Sequence, residues 1–538
     1  MKFKITFLLI FLISITNAQV TNEGKPASWE INTINKIEAI TMPGFDLAKL
    51  EAEDRVNDAG KNKPWRYGYE FLVDHNLQNN GEWTVLPNGD RIWRIRYYSQ
   101  GAHTMNFLFS DYYMPRGAKV YLYNNERTDL LGAYDAAQNN EQRVLGTWLV
   151  SGQDIWIEYY EPADVKGLGK LEIFKVVHGY RSVPVKSPDN DLNSSGSCNY
   201  DVDCDINGIN ELKDINKRAV GLIIVANNSF CTGALINNTS NDGTPYFLTA
   251  NHCTEPDENF SQWAFRFNWI SPNPVCGQNQ SSTSNAPNYY QTVSGAELKA
   301  RREESDFCLI KITANMPSTW NTILAGWNRS ETPAASSFGI HHPSGDIMKV
   351  SRDYDPPVLD NGFGQFMWEV QSWDLGVTEP GSSGSPLFDN NGRIIGQLYG
   401  GSSECQGTVT NGGDDFYGRF SKSWNAGSGS STRLKDWLDP GNTNATTINY
   451  KQLGTAGIED AALHSIKIYP NPSYGVFRVD SAEETEYAVY SILGQIVTEG
   501  RFTSGDNTIN LSGLSNGVYI LKITDVAGKT ANYKLVKE

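Results

Sequence analysis

The chain has 538 residues, 39% hydrophobic and 20% charged, a globular composition too long for one ordinary domain. Its formal net charge of −16 excludes nucleic-acid binding through a basic surface and suits a protein working outside the cell. Lys2 and Lys4 precede the apolar run Ile5–Ile15, and Thr16 and Ala18 supply small residues before Gln19. This pattern predicts a secretory signal peptide over residues 1–18. No second apolar stretch follows, so no transmembrane anchor is expected in the mature form. Residues 19–192 read as a β-rich block and linker, with strands predicted at Arg91–Tyr98, Met105–Phe109, Lys119–Tyr123 and Ile155–Tyr160. The block ends in Lys186–Gly196, a polar loop of the kind that proteases cut. Residues 193–450 alternate short apolar strands with Gly, Ser and Asn loops, and only one helix, Thr432–Leu438, is expected there. A linker over 451–464 leads to a β meander over 465–538. Its strands are expected at Ile466–Tyr469, Val476–Val479, Tyr487–Tyr490, Thr508–Leu511 and Val518–Ile523.

All seven cysteines lie between Cys198 and Cys405. An exported chain with this clustering is expected to have one disulfide-stapled domain, and the odd count leaves one thiol over. Three sites in that domain belong together. In Tyr246–Cys253 an apolar strand runs into His252. In Ser305–Ile312 Asp306 stands at the mouth of a strand. In Glu379–Phe388 Ser383 lies in a Gly-rich turn. A serine hydroxyl is a poor nucleophile until a base removes its proton. An imidazole can take that proton, and a carboxylate behind the ring fixes its tautomer. The glycine turn lets the N–H groups of Gly381 and Ser383 converge on an oxyanion. The order His, Asp, Ser is one of the known triad orders. Each site alone has a plain structural reading, as a turn, a cap or a packed histidine; their joint occurrence points to acyl transfer. His341 and His342 are read as structural, because adjacent residues on a strand face opposite ways. No metal-ligand spacing is found and no cofactor is expected.

The central block resembles the lysyl endopeptidases, a branch of the trypsin-like serine peptidases. The resemblance is carried by SGSCNYDVDC (Ser195–Cys204), CTGALINNT (Cys231–Thr239), YFLTANHC, SDFCLIKI, GVTEPGSSGSPLF, GQLYGG (Gly396–Gly401), YGRF (Tyr417–Phe420) and LKDWLDP (Leu434–Pro440). It implies an all-β, trypsin-like double β-barrel catalytic domain flanked by a β-rich pro-domain and a C-terminal β-sandwich. It also implies Ser383 as nucleophile, His252 as base and Asp306 as orienter, acting on protein or peptide substrates. The implied disulfides are Cys198–Cys405, Cys204–Cys276 and Cys231–Cys253, leaving Cys308 over. The lysine-binding carboxylate falls on Asp415, with Asp414 as its rival one residue away. Two departures from the family concern a histidine–tryptophan stack beside the active site. The histidine position is Tyr399, and no tryptophan lies near Asn361–Gly364, Trp368 being the nearest. Arginine acceptance, or an inactive binding protein on the same fold, are the alternatives. Lys186 is an expected maturation site.

The tail resembles the C-terminal sorting domain of the type IX secretion pathway of Bacteroidetes. Its motifs are IYPNPSYGVF (Ile468–Phe477), YSILGQIV (Tyr490–Val497) and LSNGVYILKI (Leu514–Ile523). The resemblance implies engagement of the secretion machinery and a secreted or cell-surface destination. A carbohydrate- or matrix-binding β module is the alternative for this block.

Overall fold

The structure is a computed structural model. It describes residues 24–31, 35–181, 195–255, 259–277, 291–360, 362–406, 411–425, 427–453, 467–481, 485–491, 495–503, 505–524 and 530–538. The expected signal peptide, Lys186 with the rest of 182–194, and most of the 451–464 linker lie outside the described residues. The chain divides into two compact units, Met1–Gly454 and Thr455–Glu538.

Within the first unit, residues 24–181 form a module of two antiparallel-dominated sheets. Strand Arg91–Tyr98 has the expected bounds and pairs with Asp154–Glu161, which continues to Lys119–Asn124. The second sheet is built on Thr104–Tyr113, Lys170–Gly179 and Gly68–Asn76. Their inward aromatic and β-branched side chains, among them Trp93, Tyr97, Phe107 and Ile157, close a shared core. The reading of this block as strands alone misses one helix, Leu47–Asp58, which Asp46 caps by accepting from the Lys49 N–H at 3.0 Å.

Residues 195–453 form two further sheets, mostly antiparallel. One runs through Val220–Val225, Ser229–Ile236, Tyr246–Ala250, Phe307–Ile312 and Ala296–Arg302. The other runs through Lys349–Asp353, Ser337–His341, Pro386–Asp389, Ile394–Gly401, Asp415–Arg419 and Met367–Val370. Strand Val220–Val225 is buried on both faces: Val220, Ile223 and Val225 fill the core of this region, and Leu222 and Ile224 pack into the core of the N-terminal module. The two sheets give the all-β arrangement expected for the block, and the three motif residues lie where they meet. The expected helix near 432–438 shortens to a 3₁₀ turn Ser430–Thr432 and a helix Lys435–Leu438. Two further helices, Asn210–Asn216 and Phe420–Asn425, escape the sequence reading.

Three disulfides staple this region: Cys198–Cys405, Cys204–Cys276 and Cys231–Cys253. Cys308 is outside them and buried in strand Phe307–Ile312.

The second unit is a β-sandwich. Lys467–Tyr469, Val476–Ser481 and Gly505–Asn510 make one sheet; Ile496–Phe502, Thr485–Ser491, Gly517–Thr524 and Thr530–Lys537 make the other. Phe477, Val489, Ile509 and Leu521 meet between them. Strands Ile496–Phe502 and Thr530–Lys537 are additions to the five expected.

Candidate active site

Strand Tyr246–Ala250 ends in Asn251, and the chain turns into a 3₁₀ segment that presents His252. The neighbouring strand Phe307–Ile312 begins just after Asp306, whose backbone is left-handed at φ +49°. Such a conformation is uncommon for a residue with a Cβ. Here it is held by the Asp306 N–H bonded to Glu303 O and the Asn251 N–H bonded to Asp306 O. The carboxylate then grips His252 twice. The His252 backbone N–H donates to Oδ1 at 2.9 Å, and ring Nδ1 lies 2.8 Å from Oδ2. With Nδ1–H donating, the ring's free lone pair sits on Nε2, the atom a general base needs.

Ser383 lies in the turn between Pro380 and strand Pro386–Asp389. Gly381 (φ +93°) and Gly384 (φ +80°) take up the left-handed corners on either side of it. The turn is tied to the first sheet: the Thr232 N–H donates to Ser383 O at 2.8 Å and Thr232 Oγ1 to Gly381 O at 2.9 Å. No hydrogen-bond partner is found for the N–H of Gly381 or of Ser383 among the described residues, which leaves both available to an oxyanion.

The Ser383 hydroxyl is not bonded to His252. It donates to the backbone carbonyl of Lys61 at 3.1 Å, and His252 Nε2 is buried without a partner. Lys61 belongs to the N-terminal module, and its side chain enters a closed pocket floored by Asp415. The ammonium donates to Thr378 O (2.6 Å), Ser403 Oγ (2.9 Å) and Ser403 O, with Asp415 Oδ1 at 3.5 Å. The other carboxylate oxygen, Oδ2, accepts from Trp373 Nε1 (2.7 Å), Thr378 Oγ1 (2.8 Å) and Ser403 Oγ (2.7 Å). Asp415 is fully buried, whereas Asp414 turns outward to Ser402 Oγ, so Asp415 and not its neighbour is the pocket carboxylate.

Tyr399 stands edge-on to the His252 ring, with centroids 6.0 Å apart. Its own partner is Phe363, edge-on at 5.4 Å. Phe363 falls within the stretch 361–364 where the family's tryptophan is missing, and the sequence reading passed over it. Trp368 lies elsewhere, buried with Trp373 and Tyr417. Tyr399 and Gly400 also border the entering segment. A Cβ on Gly400 would come within 2.9 Å of Gly60 O and 3.1 Å of the Lys61 carbonyl, so the bare backbone there admits the close approach.

His341 and His342 are both buried and point to different partners. His341 bonds Ser382 Oγ and Ser351 Oγ; His342 bonds Asp346 O. Burial pushes each imidazole down to about 3, which makes them neutral packing groups at the back of the nucleophile turn. Cys231, Cys253 and His252 bring metal-capable atoms close together, but both sulfurs are committed to a disulfide and offer no thiolate.

Residues 192–418 match the family described as lysyl endopeptidase, C-terminal domain, and residues 467–538 match the secretion system C-terminal sorting domain. A lysyl endopeptidase of Pseudomonas aeruginosa is 28% identical over 286 residues, covering 51% of this chain and 60% of that protein. Beta-agarase D of Zobellia galactanivorans is 28% identical over 111 residues, covering 19% of this chain and 23% of that protein. The chain thus spans less than two thirds of the length of either relative. Among solved structures, an inactive form of Rv3671c from M. tuberculosis H37Rv is 15% identical, with a TM-score of 0.25, over 44% of this chain and 91% of that one. Deg5 is 13% identical, with a TM-score of 0.24, over 37% of this chain and 86% of that one. The chain thus carries one region similar to the lysyl endopeptidase C-terminal domain and a second similar to a secretion sorting domain. No helix among the described residues is long and apolar enough to cross a membrane.

Proposed function

We propose that this chain, with its lysyl endopeptidase domain and sorting tail, is the precursor of a secreted serine endopeptidase that cuts on the carboxyl side of lysine. Residues 19–192 are its pro-domain and linker, 193–450 its catalytic domain, and 465–538 the domain that engages the type IX secretion machinery. The observation that carries the lysine preference is the Lys61 ammonium inside the Asp415 pocket. A compact ammonium uses its donors on Thr378 O, Ser403 O and Ser403 Oγ while the carboxylate balances its charge. A longer, planar guanidinium spreads its donors in a fork and does not match acceptors clustered around one point.

In the reaction, substrate lysine takes the place of Lys61. His252 Nε2 removes the Ser383 proton as Oγ attacks the carbonyl carbon. The Asp306 carboxylate, bound to Nδ1–H, stabilises the imidazolium that forms. The Gly381 and Ser383 N–H groups receive the oxyanion. Nε2–H then protonates the leaving amine, an acyl-Ser383 remains, and water repeats the sequence to release the acid.

The test uses enzyme freed of its N-terminal module and peptides differing only in the residue before the cut. Ser383→Ala should lower turnover on the lysyl peptide by on the order of a million-fold with an unchanged melting profile. A variant that keeps its rate sinks the nucleophile assignment. Equal cutting after arginine sinks the preference for lysine.

A further inference from the structure

We propose that the N-terminal module is a substrate-mimicking inhibitor of the peptidase, with Lys61 seated in the lysine pocket and its carbonyl holding Ser383 away from His252. The inference rests on the catalytic reading above and adds how that site is regulated.

Three features separate this contact from a productive one. First, the Ser383 hydroxyl spends its proton on Lys61 O, so the nucleophile is not bonded to its base. Productive attack needs the carbonyl carbon facing Oγ and the carbonyl oxygen facing the Gly381 and Ser383 N–H groups. Second, Lys61 is itself left-handed, at φ +51°, in a turn closed by its N–H on Asp58 O. A substrate binding as an extended strand does not have this shape. Third, the turn is anchored on both sides. Upstream, helix Leu47–Asp58 is locked by buried Asp54, which accepts from Arg66 Nε (2.8 Å), Tyr180 OH (2.8 Å) and Arg181 Nε (3.1 Å). Downstream, Trp65–Arg66 pairs antiparallel with Phe230 and Ser229 of the peptidase sheet. Asn62 adds a bond to Tyr399 OH at 3.4 Å. A segment held this way fills the pocket without the freedom to turn its carbonyl for attack, and its ordering cost is met in the folding of the module.

The test uses the full chain carrying Lys186→Gln, checked by gel to be intact, and follows the rate at which a small fluorophosphonate labels Ser383. Lys61→Ala and Lys61→Met should each raise that rate at least tenfold over the Lys61 parent. The methionine variant retains the apolar stem, so it guards against loss of the turn's packing; melting curves report the fold of both. Parent-like labelling of both variants, beside fast labelling of chain freed of the module, overturns the inhibitory role. Failure to label in both Lys61 variants and in a freed chain whose melting curve shows it folded fells the nucleophile assignment itself and the inhibitor reading with it.

Discussion

Asp415→Asn removes one charge and keeps the shape of the pocket floor. In the parent, Oδ2 is ringed by three donors from Trp373, Thr378 and Ser403, and Oδ1 faces the lysine ammonium at 3.5 Å. An asparagine amide must place its oxygen among the three donors, which turns its NH2 toward the ammonium. At 3.5 Å and an effective dielectric of about 20, the lost attraction is about 5 kcal/mol. Thr378 O and Ser403 O still accept from the ammonium, so about 2–4 kcal/mol of transition-state binding should disappear, about 30- to 1000-fold in kcat/KM. The assay is hydrolysis of a lysyl peptide, beside a matched leucyl peptide, by enzyme freed of the N-terminal module. The lysyl substrate should lose the full factor and the leucyl substrate little. A folded variant that cuts the lysyl peptide within about threefold of the parent rate refutes the charge-pairing argument.

Three further outcomes follow from the packing around the site. His342 is neutral in the folded chain and protonates on unfolding near its ordinary value, so it contributes stability that is complete above about pH 6.5 and lost as pH falls. By pH 5 this is about 2 kcal/mol, whereas Asp346 and Asp353, raised by burial to about 6, act in the opposite sense. His342→Asn keeps a donor for Asp346 O and should flatten the stability slope between pH 6.5 and 5 by about one proton in denaturant titrations. Replacing Cys231 and Cys253 together by Ser opens a loop of 22-residue separation and should cost about 3 kcal/mol in the same assay. An unmoved midpoint would count against that. Gly384→Ala puts a Cβ 2.5 Å from Thr232 O and 2.7 Å from Ala250 N at a φ of +80°; it should fail to reach soluble yield or lose at least about 3 kcal/mol.

The proposed triad positions were legible because each lies at the start or end of a strand or in a glycine turn: YFLTA leads to His252, FCLIKI follows Asp306, and glycines flank Ser383. Asp415 was separable from Asp414 only in the fold, where strand alternation buries Asp415 with Tyr417 and turns Asp414 out. Helix Leu47–Asp58 was hidden because of its twelve residues only Asp54 is buried, so it carries no apolar stripe. Phe363 was hidden because its role depends on a contact from a loop to Tyr399. Lys61 could not be read at all. Gly60–Pro64 looks like any turn, and its partner Asp415 lies 354 residues away.

One strand joins the inhibitory contact to the chemistry. Along Ser229–Ile236, Ser229 and Phe230 pair with Arg66 and Trp65, and Cys231 is tied to Cys253 beside His252. Thr232 then holds the backbone of Gly381 and Ser383. Phe230 also stacks on Tyr67 and packs with Leu222 and Ile224 in the core of the N-terminal module, so module and peptidase share one apolar interior. A cut within residues 182–194 breaks none of these pairings and uncovers none of that surface. Cleavage of the connection alone therefore leaves Lys61 in place, and relief of inhibition requires a second event that unfolds or digests the module.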